Sequence, residues 1–150
     1  MVLIIVKENG GIDLLFHTNT HSGKTHDLST DSHINISFLN SSNEWASISG
    51  LARIITDRDL VRKYYSQQLK AWVGDLGDGV HDGGPEDPRI GVIRVKMLSA
   101  TYALVSKGPL GRTAEVAKGM VTGETASTNK LREISTEEVQ RWRESLELVQ

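Results

Sequence analysis

The sequence contains no cysteine, which excludes disulfides, thiol catalysis and thiolate metal sites. It also lacks a long apolar run, since the stretch Val2 to Val6 is too short for a signal peptide or a membrane span. Neither charge dominates. Seventeen basic against nineteen acidic residues leave a formal net charge of -2, without the basic stripe that nucleic-acid binding draws on. These absences point to a cytoplasmic protein with no nucleic-acid and no membrane partner. At 150 residues the chain suits a single domain, one that buries roughly two-thirds of its unfolded surface. No internal repeat or low-complexity segment divides it.

Val2 to Val6 is mostly β-branched, Lys7 closes that arm, Gly10-Gly11 marks a turn and Ile12 to Phe16 is a second apolar run, so residues 2–17 read as a hairpin. Thr25 to Asp31 can form two helical turns with Ser22 as cap, because a serine oxygen accepts from the N–H groups that open a helix. Ile34, Ile36 and Phe38 then alternate with Asn35 and Ser37, the period of a half-buried strand. Trp45 to Ile55 is a longer strand, and Gly50 within it marks a bulge or a close backbone approach. Thr56 and Asp59 have capping-box spacing, and Leu60, Val61, Tyr64, Tyr65 and Leu69 predict a helix over 57–72.

Residues 74–88 hold five glycines, five acidic residues and two prolines, the composition of a surface loop. Ile90 to Val95 returns to strand, and Ser99 to Val105 continues it or pairs with it. Beyond Gly108-Pro109, Thr113 can cap a helix over 112–123 that Gly123 stops. Residues 123–134 read as a polar linker. Ser135 and Glu138 open a last helix over 135–149, with Val139, Trp142, Leu146 and Val149 on its buried side. Strands in succession with helices inserted, rather than alternating, give a mainly β, α+β architecture: a small antiparallel barrel with appended helices. The barrel core is expected over 1–106.

Chemistry concentrates in Phe16-His17-Thr18-Asn19-Thr20-His21-Ser22-Gly23-Lys24-Thr25. An apolar strand ends there, and a polar turn carries a lysine into a helix start. Unpaired N–H groups, a hydroxyl and an ammonium at such a place make an anion cradle suited to phosphate. Gly23-Lys24-Thr25 matches half of a nucleotide-hydrolysing P-loop, but Thr18 stands where the leading glycine belongs and no strand ending in aspartate follows to hold magnesium. His17, His21 and His26 raise a metal, yet a turn that changes direction at Gly23 need not converge them. Asp75, Asp78 and Asp82 miss the one-three-five spacing of a calcium loop. No metal site is expected.

The order of motifs supplies a further reading. Val2 to Lys7, Phe16-His17-Thr18-Asn19, Ser22-x-Lys24, Leu28 and His33 to Phe38 are followed by Trp45 to Ala52, Lys70-Ala71-Trp72 and Asp87 to Val95. This series resembles the FMN-binding split barrel of the pyridoxamine 5′-phosphate oxidase-like family. Trp72 and Asp87-Pro88 resemble its general stress protein branch, which includes fungal blue-light-inducible proteins. The resemblance implies FMN as cofactor, held at a homodimer interface. It places Thr18, Ser22 and Lys24 on the phosphate, with Asn19 in the same cofactor set. Lys7 and His17 would lie along the flavin and ribityl, and Trp45 and Trp72 near the cofactor or across the interface.

The resemblance has gaps that shape what is expected. The family domain usually begins with a helix and two strands ahead of the segment that matches Val2, so the chain is expected to start inside the barrel. Val2 stands where the oxidases carry an arginine, and Gly23 where they carry a second basic residue, which leaves Lys24 as the cation of the phosphate turn. Asp59, Lys63 and Gln67 fall near the oxidases' substrate-phosphate positions, and no R-x-H occurs near the end. Pyridoxine phosphate oxidation is therefore not expected. An FMN-binding protein of general stress type, possessing flavin redox chemistry if it is an enzyme, is one outcome; a non-enzymatic dimeric module with a degenerate site is the other. No residue is assigned as acid, base or nucleophile.

Overall fold

The computed structural model describes residues 6–105, 108–123 and 129–148. Among the described residues six antiparallel strands form one sheet: β1 (Val6–Glu8), β2 (Asp13–Asn19), β3 (His33–Leu39), β4 (Trp45–Ile55), β5 (Ile90–Val105) and β6 (Asn129–Ile134). Their order is β1-β2-β5-β4-β3, with β6 also on β5. β4 runs along one edge of β5, while β2 and β6 share its other edge, β2 against Ile90 to Lys96 and β6 against Ala100 to Val105. The helices are α1 (Gly23–Thr30), α2 (Arg58–Tyr64), α3 (Gln67–Val73), α4 (Pro109–Thr122) and α5 (Thr136–Glu147). The mainly β, α+β expectation holds. None of the described helices is long and apolar enough to cross a membrane.

Because side chains alternate along a strand, the sheet has two distinct faces. The inner face carries Leu14, Ile36, Ala52, Ile93 and Val95, with Phe16, Ile34, Phe38 and Leu28 of α1 packed on them. The outer face carries Leu15, Ile90 and Val92, covered by Val61 of α2 and Leu69 of α3. Further along, Val139 of α5 closes over Ile12, Met97 and Ala100. Gly50 sits where the β4–β5 register shifts, and a Cβ there would lie 2.6 Å from the Lys96 carbonyl oxygen. The sequence expectation of a close backbone approach is met.

α5 is tied down at both levels of its sequence. Ser135 accepts from the Glu138 N–H and the Glu138 carboxylate accepts from the Ser135 N–H, a complete capping box. One turn of helix beyond Val139, Arg143 donates to both oxygens of Asp13, at 2.5 and 3.1 Å, and to the Met97 carbonyl at 3.0 Å. Burial pushes the Asp13 carboxyl up, but hydrogen bonds from Arg143 and Asn9 outweigh it and hold the group below the usual range. Ser135→Ala is expected to cost about 1 kcal/mol of stability, read as a lower urea midpoint at unchanged slope.

Several boundaries differ from expectation, each for a local reason. The helix expected over 57–72 is two short helices: Tyr65 leaves helical geometry (φ -59, ψ 143) and Ser66 starts α3. The cap of α2 is Asp57, which accepts from the Leu60 N–H, rather than Thr56. α4 starts at Pro109, preformed for a first helical position, so Thr113 lies inside it, whereas Gly123 ends it in a left-handed conformation (φ 73) as expected. Ile90 to Val105 is one continuous strand. The expected linker over 123–134 contains β6. Val2 to Ile5 of the first arm, 106, 124–128 and Val149 lie outside the described residues.

The loop over 74–88 is only partly a surface loop. Its end is buried: Asp87 is fully enclosed, accepting from the N–H groups of Gly83 and Arg89 and from the Arg89 guanidinium at 2.6 Å. Arg89 in turn donates to the carbonyls of Gly74 and His81. Arg58, at the start of α2, donates to the carbonyls of Asp87 and Ile90. These bonds fix the loop against α2, α3 and the start of β5, and Arg89 O then accepts from Thr20 N at 2.7 Å. The loop thereby holds the beginning of the polar turn.

Candidate functional site

β2 delivers the site. Phe16 and Thr18 face inward with Ile93 and Gly91 opposite them, and His17 and Asn19 fall on the other face with Leu15. The strand then ends in the turn Thr20–Ser22, which is knitted by its own polar groups. Asn19 Oδ1 accepts from His21 N at 2.8 Å, and Ser22 N donates to Asn19 O at 3.1 Å. Thr25, buried in the first turn of α1, donates to Thr20 O and lies 2.6 Å from Ser22 O. Thr25 is the residue that sequence reasoning left without a role here. Its signal was the hydroxyl immediately after Gly23-Lys24, and its work is to hold the turn against the helix.

The turn presents an uncommitted donor set. Lys24 Nζ donates to Ser22 Oγ at 3.3 Å, and among the described residues no carboxylate pairs with it. Ser22 occupies the helix N-cap but its side chain does not cap, so its hydroxyl points away from the backbone role expected of it, toward Lys24 and Thr25. The N–H groups of Gly23 and Lys24 have no acceptor among the described residues. A Cβ on Gly23 would meet nothing within 4 Å, so there is open space at the helix start. Thr18 is buried, and among the described residues its hydroxyl finds only a long 3.3 Å bond to Asn19 O. An ammonium, hydroxyls and helix N–H groups around open space fit a phosphate monoester.

Beside Lys24 lies a cavity of about 130 Å³, walled mainly by Phe16, Ile34, Ile36 and Ile93 and bordered by His17, Asn35 and Ser37. It is apolar on the sheet side and polar at the Lys24 end. His17 is buried, neither ring nitrogen has a hydrogen-bond partner among the described residues, and burial pushes its pKa below the ordinary value of 6.5. Burial therefore disfavours the protonated imidazole.

The structure brings Ser22 and Lys24 together at the start of α1, with His17, Thr18 and Asn19 at the end of β2 that leads into the turn. Asn19 is committed to the turn through Oδ1. Lys7 pairs through its backbone with Leu14, and its side chain lies outside the described residues. Trp45 stands apart from the turn within one chain. Trp45 opens β4, ten residues from the Ile55 end that neighbours the turn, about 33 Å along a strand at ~3.3 Å per residue. Trp72 lies on α3 with 61 % of its surface exposed.

Comparison with known proteins adds to this geometry. The chain matches the family model described as pyridoxamine 5′-phosphate oxidase like over residues 1–127. It is 69 % identical over 139 residues to Protein bli-3 of Neurospora crassa, an alignment that takes in 92 % of this chain and 66 % of that protein. Among solved structures it is similar to a protein related to general stress protein 26 from Clostridium acetobutylicum, with 14 % identity, a TM-score of 0.56, and coverage of 90 % of this chain and 75 % of that one. It is also similar to the general stress FMN/FAD binding protein of Xanthomonas citri, with 23 % identity, a TM-score of 0.52 and coverage of 65 % of each chain. At those identities the structural likeness speaks to the fold, and the fold is the split barrel.

Proposed function

The chain belongs to the pyridoxamine 5′-phosphate oxidase-like family, and on that premise we propose that it binds FMN with the phosphate at the Thr18–Lys24 turn. The observation that carries the reading is the uncommitted donor set at the start of α1, with Lys24 Nζ unpaired by any described carboxylate and open space over Gly23. Thr18, Ser22, Lys24 and the Gly23 and Lys24 N–H groups would hold the phosphate. The apolar wall of Phe16, Ile34, Ile36 and Ile93 would exclude water from what lies beside it. A bound flavin supplies hydride or electron transfer, so an FMN-dependent oxidoreductase is the enzymatic form of this proposal. The Xanthomonas citri protein, whose description includes FMN/FAD binding, supports a flavin.

A second surface completes the proposed site. The cavity of about 130 Å³ is well below the roughly 300–1,000 Å³ of a typical small-molecule pocket, which supports a homodimer with the cofactor between chains. Trp45, exposed and distant from the turn of its own chain, and the exposed Trp72 are the candidates for contacts across that interface. Protein mixed with FMN and passed through a size-exclusion column is expected to carry flavin absorbance at the mass of two chains. Flavin-free protein would leave the degenerate binding module as the reading, and flavin on a single-chain species would remove the dimer.

A further inference from the structure

The outer face of the sheet holds a second, unrelated concentration of charge. Arg53 on β4 and Arg94 on β5 stand directly opposite each other in the antiparallel register, and Lys96 follows two residues on, opposite Leu51 and Asp13. Directly opposed residues have Cβ atoms about 5 Å apart, and the diagonal neighbour is about 7–8 Å away. Like charges in that relation repel, and sheets ordinarily avoid the pairing. Here Glu8 offsets the repulsion at Arg94 through an ion pair, and among the described residues no such pair does so at the other two cations. Arg53 and Lys96 are exposed, and neither has an ion pair or side-chain hydrogen bond among the described residues. Arg94 has Glu8 beside it, Nε to Oε2 at 3.0 Å, but without hydrogen-bond geometry at Nε, and the Nη2 contact is 3.5 Å long. Asp13, the acid facing Lys96, is already spent on Arg143 and Asn9.

The geometry points to the Arg53–Arg94–Lys96 row as a binding site for the anionic group of a small molecule, a phosphate or a dicarboxylate. The guanidinium fork of Arg53 and the Lys96 ammonium, with the N–H groups of Arg94 that Glu8 does not take, match a single compact anion, which several donors can engage at once. The row is too short to track an extended polymer. It covers two adjacent strands, with Glu8 and Tyr64 of α2 at one margin, where the Tyr64 hydroxyl reaches Glu8 at 3.5 Å. The overall charge of -2 provides no long-range field for a polyanion. On the Lys96 side an open cavity of about 280 Å³, bordered by Asn9, Lys96, Arg143, Leu146 and Glu147, leaves room for the body of such a ligand. This face is opposite the one that carries Thr18, so the site is separate from the phosphate turn and does not rest on the flavin reading.

Amide chemical-shift mapping during titration with inorganic phosphate and, separately, with succinate tests the assignment. Shifts centred on residues 52–54 and 93–97 are expected with both probes. Arg53→Gln and Lys96→Gln should each weaken the binding about fivefold, the scale of one exposed ionic contact, while Lys130→Gln on β6 leaves it unchanged. Both altered side chains are exposed, so the variants keep the parent fold, and their unperturbed spectra elsewhere will show it. Shifts confined to residues 22–25, or none at high millimolar probe, would overturn the site. A response to poly-glutamate without one to either small anion would overturn the ligand class.

Discussion

Asp87→Asn is expected to destabilise the fold by about 3–5 kcal/mol, the scale of a buried ion pair that loses one partner. The carboxylate is completely enclosed and collects four kinds of donor: the N–H groups of Gly83 and Arg89, and Nε and Nη2 of Arg89. Asparagine has nearly the same volume, so no cavity opens, yet it cannot neutralise Arg89 and offers one acceptor oxygen where there were two. Urea unfolding of parent and variant measures the difference. The pH dependence has a defined sign. Hydrogen bonding from Arg89, against an opposing push from burial and with help from the two N–H groups, holds the Asp87 carboxyl at about 2, below the ordinary 3.8. A depressed carboxyl stabilises the folded state above its unfolded value and loses that contribution as pH falls through its folded value. The stabilisation is therefore complete above about pH 4 and fades toward pH 2, and Asp87→Asn should flatten that part of the profile.

Lys24→Ala is expected to weaken FMN binding by roughly 10–150-fold, the loss of one charge-assisted phosphate contact worth about 1.5–3 kcal/mol. Flavin fluorescence during titration gives both affinities. Apo-protein stability should hardly move, because the only described bond Lys24 makes is the 3.3 Å one to Ser22 Oγ. The stabilisation conferred by added FMN should shrink in step with its affinity. Equal affinities in parent and variant would remove Lys24 from the site. The other candidates at the turn predict smaller effects, since Ser22 and Thr18 bring neutral hydroxyls.

The strands and the polar turn were legible in the sequence because each carries a local signal. β3 alternates, β4 begins and ends where predicted, and Gly50 sits at the register shift. Elements that depend on distant partners were not. β6, Asn-Lys-Leu-Arg-Glu-Ile, is exposed along most of its length and has too little apolar alternation to read as strand. It forms because the second half of β5 offers a free edge. The hydrophobic spacing of Leu60, Val61, Tyr64, Tyr65 and Leu69 runs straight through the break at Ser66, so periodicity could not reveal two helices. Asp87 read as one more loop acid, and only the fold shows Arg89 enclosing it.

At the candidate site, sequence order grouped Thr18, Ser22 and Lys24, and the fold puts Ser22 against Lys24 with Thr18 buried at the end of β2. The roles within the turn were less legible. Ser22 occupies the cap position without capping, Asn19 spends its side-chain oxygen on His21 N–H, and Thr25 does the structural work. Such divisions depend on which staggered rotamer each side chain adopts, which residue identity does not encode. Burial of His17 without a partner for either nitrogen among the described residues likewise follows from packing on both sides of β2.

Comparing FMN with riboflavin on the parent protein tests the central claim most directly, because the two ligands differ only in the phosphate that the Thr18–Lys24 turn is proposed to hold. FMN should bind at least about tenfold more tightly, as a charge-assisted contact plus helix N–H donors requires. Equal affinities for the two, or binding of neither, would contradict it.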